Sequence, residues 1–395
     1  MNVVPPSTGY RVGNFAAGQN IQEVSRQWVA RPHDQRFLDL GSLRDAVRSR
    51  ADRSRECVIA TRNIEILAPE VQETADLARL YVGLPDGRSV APTHWSFGQM
   101  ASLAGAPAGY LRRLPSPIVA DALTYGLRYS REAEDVKLYS TDQEIRAATS
   151  SSYGRIFDAD VVDAVMQIAG DGTGRDGFRW KIPGVLDWQT MRYDPEAPVT
   201  PDSTTLYASD RDVYLFLVDD RNPIEVGRLR SGEPDLVFRG FIVSNSEVGS
   251  GTARIKSFLL RGVCQNRNLW GVEGFQEISI RHTKSAPHRW IDEARPALMG
   301  YAEGSAKSIQ DGVAAAKAAK VADDDEKAIE FLTARTFSRK AALSILEQHE
   351  REEGHPIRSA WDMAQGITAF ARSIPYQDER FGTELIAGRI LDAVE

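Results

Sequence analysis

The residues best suited to chemistry are the cations between positions 239 and 290. This stretch holds eight Lys or Arg residues and three acidic residues, a local balance of +5 in a chain whose formal net charge is −7. Cationic side chains on an exposed strand neutralise phosphates, which favours a nucleic-acid partner. The alternative is that they only solvate an exposed sheet face. The predicted phosphate contacts are Arg239, Arg254, Lys256, Arg261, Arg267, Arg281 and Lys284.

A polar turn lies among these cations and is predicted to shape a groove. Asn245, Gln265 and Asn266 are candidates for further polar contacts, although Asn also favours turns for its backbone conformation. Phe241, Trp270 and Phe275 are candidates for stacking on bases, and core packing is the alternative for each of them. The predicted turn and groove residues are Ser244, Asn245, Ser246, Glu247, Gly249 and Asn266.

Evidence for catalysis is thin. Cys264 and His282 have the side chains of a nucleophile and a base, but the sequence supplies no third group to orient them. His282, His288 and Glu247 match no zinc-binding spacing. The sequence therefore predicts no catalytic residue, no metal site and no cofactor. A hydrolase or nuclease built around Glu247, Cys264 and His282 is the alternative from the enzyme class.

Composition indicates an ordinary globular protein. The chain has 395 residues, of which 42% are hydrophobic and 26% are charged. Its longest apolar runs, such as residues 213–218, are far shorter than a membrane span, and no signal-peptide pattern opens the chain. The two cysteines, Cys57 and Cys264, are too few for a disulfide framework. We expect a cytoplasmic protein without membrane contact.

The elements that must position the cations are strands. Residues 237–243, 252–263 and 278–282 have strand-like patterns that predict a hairpin plus one further strand, with one apolar and one basic face. Residues 219–236 are rich in Asp, Gly and Pro and predict a long connection. The expected fold class is α+β, with an antiparallel sheet between residues 135 and 284 flanked by helices and followed by a helical C-terminal region.

Three regions are predicted. Residues 1–90 form an N-terminal arm and a small α/β segment, 91–290 an α+β core with the basic sheet, and 291–395 an α-helical region. In the core, Thr93 is a candidate N-cap, and a hairpin is predicted about residues 141–143. The last region holds 13 basic and 19 acidic residues, so a basic sheet is expected beside acidic helices.

Several segments resemble a known family. One set of residues is similar to the signature of the phage/plasmid-like family catalogued as domain of unknown function 932. The set consists of Gly240, Ser244 to Glu247, Gly249, Val263, Cys264 and Asn266. The runs at 97–114, 145–153 and 280–282 fit the same family, so the resemblance covers roughly residues 90–390. It implies a relationship to single-strand annealing recombination proteins, which hold single-stranded DNA in a basic groove, commonly as rings or filaments.

The sequence and the resemblance together predict a protein that binds single-stranded DNA. The expected role is strand binding and annealing in phage or plasmid recombination, by a homo-oligomer that needs no cofactor. The alternative is a protein-interaction or anti-defence factor of a mobile element without enzymatic activity, with the acidic helices as the contact face.

Overall fold

The computed structural model describes residues 10–12, 33–129, 135–187, 192–229, 231–262, 267–268, 277–303, 307–374 and 377–394. Helices and sheets are both extensive in this part of the chain, and its C-terminal third is helical. The predicted α+β class is therefore confirmed. Of the predicted arm at residues 1–35, only residues 10–12 and 33–35 are described. No helix in the described ranges is long and apolar enough to cross a membrane.

The N-terminal half of the chain builds the first of two sheets. Its strand order is β1-β5-β6-β8-β7-β3, with β4 paired to β5; β6 and β8 run parallel and the other pairs are antiparallel. The predicted hairpin is confirmed, since the Thr141 N–H donates to the Glu144 carbonyl at 2.9 Å. The strands of this half, of which all but β2 form the sheet, are β1 (Tyr10–Arg11), β2 (Arg36–Phe37), β3 (Arg55–Ala60), β4 (Glu65–Leu67), β5 (Arg79–Gly83), β6 (Ser89–Pro92), β7 (Asp135–Ser140) and β8 (Glu144–Ser150).

Some helices of this half pack on the first sheet, and the first and last helices of this half share a core with the second sheet. Thr93 caps the second helix as predicted, because its hydroxyl accepts the Ser96 N–H at 3.1 Å. Phe97, Met100 and Leu123 are fully buried against the first sheet. The helices of this half are α1 (Leu40–Asp52), α2 (His94–Leu103), α3 (Ala108–Leu111), α4 (Ser116–Tyr129) and α5 (Asp158–Ala169).

The second sheet follows α5 and has the order β15-β14-β13-β12-β11-β2, with β16 paired to β14. It is antiparallel throughout. A separate two-stranded pair, β9 and β10, precedes it. The strands are β9 (Val185–Asp187), β10 (Arg192–Asp194), β11 (Leu206–Ala208), β12 (Val213–Arg228), β13 (Pro234–Asn245), β14 (Ala253–Arg261), β15 (Arg267–Asn268) and β16 (Ile278–Ile280).

Two sequence predictions about these sheets are wrong. The long connection predicted at residues 219–236 is mostly strand, because β12 continues through a register shift between Asp219 and Ile224 that absorbs the turn-forming residues. Residues 135–284 do not form one sheet, because β7 and β8 pair with β3 and β6 of the first sheet. The predicted boundary at residue 90 falls within β6.

The C-terminal helices share a core with the second sheet. Trp361, Ile345 and Leu332 pack in one buried cluster with Val237 of β13 and Leu259 of β14. A π-helical turn at Trp290–Ala294 joins the first two of these helices. They are α6 (Ala286–Arg289), α7 (Arg295–Glu303), α8 (Lys307–Ala318), α9 (Asp325–Thr333), α10 (Arg339–Glu353), α11 (Ala360–Arg372) and α12 (Gln377–Asp392).

Candidate functional site

The predicted phosphate-binding cations of β13 and β14 lie on two opposite faces of the sheet. Cross-strand partners share a face, and Arg239 pairs with Leu259, two residues from Arg261. Lys256 pairs with Ile242, which places Lys256 and Arg254 on the other face. The prediction of one basic face that carries all four cations is therefore wrong.

Arg239 is part of the protein core. Its side chain is 4% exposed, donates to the Tyr301 carbonyl at 2.6 Å and lies 4.9 Å from the centre of the Tyr301 ring. Its guanidinium carbon also lies 5.6 Å from the centre of the Trp180 ring. These contacts attach α7 to the sheet, so Arg239 is not a surface cation as predicted.

Arg261 is also buried, at 2% exposure, within a group of charged side chains. It donates to Asp235 at 2.8 and 3.2 Å and to Glu353 of α10, and Lys317 of α8 approaches Asp235 at 3.2 Å. Burial raises the pKa of Asp235, but Arg261 and Lys317 outweigh it and the net pKa is below the usual range. This Arg261 side chain is internal, so the prediction that it faces solvent is wrong.

Four of the predicted cations lie on and beside β14 and β16, and we call them the basic strip: Arg254, Lys256, Arg281 and Lys284. Arg254 and Lys256 both contact Glu277, at 2.9 and 3.4 Å, with side chains 32% and 14% exposed. Arg281 and Lys284 follow β16, which pairs with β14, and both are exposed. Neither has an ion-pair partner among the described residues.

The remaining predicted contacts give no support to a stacking surface. Phe241 is fully buried and packs edge-on against Trp180 with ring centres 5.1 Å apart, so core packing is its role. Arg267 lies in β15, where its backbone pairs with Leu260. Asn266, together with Cys264, Gln265, Trp270 and Phe275, lies outside the described residues.

The predicted groove-shaping turn lies inside the protein. Asn245, Ser246 and Glu247 are 2%, 1% and 1% exposed. The Asn245 amide donates to the Ile156 carbonyl at 2.8 Å and to Asp158 at 2.7 Å, while the Ser246 hydroxyl donates to the Arg211 carbonyl at 2.7 Å. Ser244 ends the regular part of β13, and Gly249 takes a φ of 86° that favours glycine. The predicted turn is therefore present, but its side chains make hydrogen bonds inside the protein and do not line a surface groove.

Glu247 is the centre of a buried junction between the two sheets. Its carboxylate lies 2.6 Å from Arg146 of β8, with side-chain exposures of 2% and 0%. The guanidinium carbon of Arg155 lies 3.9 Å from the centre of the Tyr139 ring, and that of Arg146 lies 4.8 Å from it. We use the name buried junction for Tyr139, Arg146, Arg155, Asp158, Asn245 and Glu247.

The surroundings of the buried junction disfavour the ionised form of one of its carboxyl groups, that of Asp158. Asp158 begins α5 and its backbone N–H donates to Glu247 at 3.2 Å. Burial and the neighbouring Glu247 raise the pKa of Asp158 well above its usual value. The sequence did not indicate a role for Arg146 or Asp158. Arg146 lies in the run at 145–153 that resembles the known family, whereas Asp158 lies in none of the recognised runs.

The enzyme alternative receives no geometric support. Glu247 is held in its ion pair away from solvent. The His282 Nδ1 lies 3.1 Å from the Gly154 carbonyl oxygen, and its ring stacks on Tyr153 with centres 4.9 Å apart. Burial lowers the pKa of His282, which matches a packed histidine more closely than an exposed catalytic base.

A second candidate site is a cleft of about 1310 Å³ between the β12–β13 end of the sheet and the C-terminal helices, which we call the C-terminal cleft. Its wall includes the Arg261 and Asp235 pair, Lys317 and Glu353, and it extends to His355 and Asp362. Within the described residues, His349, His355 and Asp362 are a group whose ligand atoms could hold a metal ion. Sequence reasoning did not identify them.

Part of the chain matches a known family. A model of the family described as "Domain of unknown function (DUF932)" matches residues 202–372. No curated protein and no solved structure matches the chain. The match includes the basic strip and all residues that line the C-terminal cleft, whereas the runs at 97–114 and 145–153 lie outside it. Over residues 202–372, the chain is therefore similar to a domain of unknown function.

Proposed function

We propose that this protein binds single-stranded DNA through the basic strip, without a catalytic step. The observation that supports the proposal is the set of four cations on and beside β14 and β16, of which Arg281 and Lys284 are exposed and Arg254 and Lys256 are partly buried. Glu277 is the one acid that contacts them among the described residues. The proposal is narrower than the sequence prediction, since Arg239 and Arg261 have no part in it.

The geometry suits backbone contacts better than base recognition. Arg254 and Lys256 are two residues apart on one strand, so their side chains leave the same face about 6.6 Å apart. Side chains in a row on one face follow a phosphate backbone without reading its sequence. Arg254 also lies 5.7 Å from the centre of the Phe381 ring, which restricts the direction of its guanidinium.

Glu277 limits how strongly the basic strip binds phosphate. It neutralises part of the charge of Arg254 and Lys256 in the free protein, and a bound phosphate has to compete with it. Arg281 and Lys284 carry no such competitor in the described part of the chain, so the first phosphate contacts are theirs. Annealing of complementary strands in phage or plasmid recombination, by a cytoplasmic homo-oligomer, is the wider role that we propose for this binding.

The test is fluorescence anisotropy of the purified full chain with labelled single- and double-stranded oligonucleotides across a salt series. The proposal expects salt-dependent binding with preference for the single strand. No binding at low salt, or equal binding that does not weaken as salt rises, would overturn it. The function would then be protein contact without catalysis, for which α4 offers the exposed side chains of Ile118, Tyr125 and Tyr129.

A further inference from the structure

A histidine beside the C-terminal cleft is buried without a partner that explains its burial. His349 of α10 is 1% exposed, and neither of its ring nitrogens has a hydrogen-bond partner among the described residues. Burying a polar group without a partner is unfavourable, because the group loses its bonds to water and gains none. A neutral imidazole has one ring nitrogen with a lone pair, and no residue in the described part of the chain donates to it.

Two further side chains with available lone pairs lie beside it. His355 is exposed and its ring centre is 5.2 Å from that of His349. Asp362 lies in the first turn of α11, and one suitable ligand atom from each of the three residues lies within 4.8 Å of the other two. We propose that His349, His355 and Asp362 bind a divalent transition-metal ion, of which Zn²⁺ fits the ligand set, at the wall of the C-terminal cleft.

The contacts around the two outer ligands are those that orient metal ligands. The His355 Nδ1 lies 3.2 Å from the Pro356 carbonyl oxygen; as an N–H donor there, it leaves Nε2 with a lone pair. In Asp362, Oδ2 accepts the N–H groups of Arg358 and Ser359 at 3.1 and 2.9 Å, whereas Oδ1 has no donor among the described residues. In both His355 and Asp362, one atom of the side chain is held by a backbone group and another is available to a metal ion.

The local sequence explains why these residues meet. α10 ends at Gly354, whose φ of 74° reverses the chain after the helix and places His355 beside the last turn. Gly366 of α11 packs so closely on α10 that a Cβ there would lie 3.3 Å from the His349 Cβ. The absence of a side chain at position 366 therefore brings Asp362 and His349 together.

Two imidazoles and one carboxylate favour a particular class of metal ion. Imidazole suits zinc and its neighbours in the first transition row and not Mg²⁺ or Ca²⁺, which prefer oxygen ligands. Tetrahedral zinc places its ligand atoms roughly 3.3 Å apart, so the 4.8 Å set has to contract, which requires a small movement of the exposed His355 side chain. Three protein ligands leave a coordination position open to the cleft, which is the arrangement of a reactive zinc and not of a closed structural one.

Direct metal titration of the full chain tests this proposal. The protein is prepared without an affinity tag, treated with a chelator and exchanged into chelator-free buffer. Zn²⁺ is then titrated by calorimetry, and Co²⁺ is titrated by its visible absorption. We expect one ion per chain, and we expect Zn²⁺ to raise the thermal unfolding temperature. DNA is absent throughout, so the result is independent of the proposed function.

The variants His355→Ala and Asp362→Asn remove one ligand each. His355 is exposed, and Asn at 362 retains an oxygen that can accept the two backbone N–H groups, so both variants should fold. We expect at least tenfold weaker Zn²⁺ binding and no thermal shift in either, with wild-type behaviour in the control His288→Ala, an exposed histidine outside the cluster. Less than one ion per chain in the wild type, or an unchanged affinity and Co²⁺ spectrum in His355→Ala, would overturn the proposal.

Discussion

Arg146 and Glu247 form an ion pair 2.6 Å long in which the two side chains are 0% and 2% exposed. The first belongs to β8 of the N-terminal sheet and the second to the turn after β13 of the second sheet. A buried pair costs desolvation of both charges, and this cost is balanced only while both partners are present. The pair is therefore a buried link between the two sheets, beside hydrogen bonds such as those from Trp95 and Tyr153 to the turn after β13.

Removal of one partner should be strongly destabilising. Glu247→Gln leaves the Arg146 guanidinium buried without its counter-charge, and we expect a loss of about 3–5 kcal/mol in the free energy of unfolding. Chemical denaturation monitored by circular dichroism gives this quantity. The control Glu347→Gln, at an exposed position, should change it by less than about 0.5 kcal/mol. A loss below about 1 kcal/mol in Glu247→Gln would show that the pair does not hold the junction.

The elevated pKa of Asp158 gives the protein a pH-dependent stability. Its folded pKa lies above the ordinary value of 3.8, so its contribution is complete below that pH and is lost as pH rises through the folded pKa. Asp158→Asn has no such titration and can still accept the Asn245 N–H. The stability of the variant relative to the wild type should therefore increase as the pH rises above the ordinary pKa of the carboxyl group, 3.8.

Denaturation curves of both proteins at several pH values measure this difference. A relative stability that stays constant across the range would contradict the assignment of the shifted titration to Asp158.

Glu277 should weaken the binding of DNA. It contacts both Arg254 and Lys256, and exposed ion pairs are worth about 0.2–1 kcal/mol. Glu277→Gln frees both cations, so we expect the Kd for a single-stranded oligonucleotide to fall by about twofold to fivefold at low salt. Anisotropy titration measures it, and the gain should shrink at high salt. Weaker binding by Glu277→Gln would show that the DNA binds to a different part of the protein.

The unpartnered imidazole of His349 should cost stability in the metal-free protein. His349→Leu replaces it with an apolar side chain of similar size, and we expect the metal-free variant to be more stable by about 1–2 kcal/mol. The variant should also lose the stabilisation by Zn²⁺. Thermal unfolding with and without Zn²⁺ measures both effects, and a variant that Zn²⁺ still stabilises would exclude His349 as a ligand.

Local signals in the sequence predicted local structure well. The N-cap at Thr93 and the hairpin about residues 141–143 depend on neighbouring residues, and both are confirmed. The faces of β14 could not be predicted, because residues 257–260 are apolar or small on both sides of the strand and the alternation disappears. A strand buried on both faces gives no sign of which cations are internal.

The internal cations were missed because their partners are distant in sequence. Arg261 is buried with Asp235 and with Glu353, which is 92 residues away on α10. The metal-ligand candidates were missed for a similar reason. His349 and His355 are separated by five residues, a spacing that zinc sites use, but no cysteine pair accompanies them, and Asp362 joins them only because α11 packs against α10 at Gly366. Such sites depend on tertiary packing that periodicity does not encode.

The salt dependence of single-stranded DNA binding by Arg281→Gln/Lys284→Gln tests the central claim most directly. Both side chains are exposed, so the double variant should fold normally. If both cations contact phosphates, the slope of log K against log salt should decrease in magnitude by about 1.4, since each contact contributes roughly 0.7 for a single strand. The control Arg62→Gln/Lys340→Gln removes the same charges from exposed positions elsewhere. Equal slopes in the variant, the control and the wild type would contradict the assignment of the basic strip.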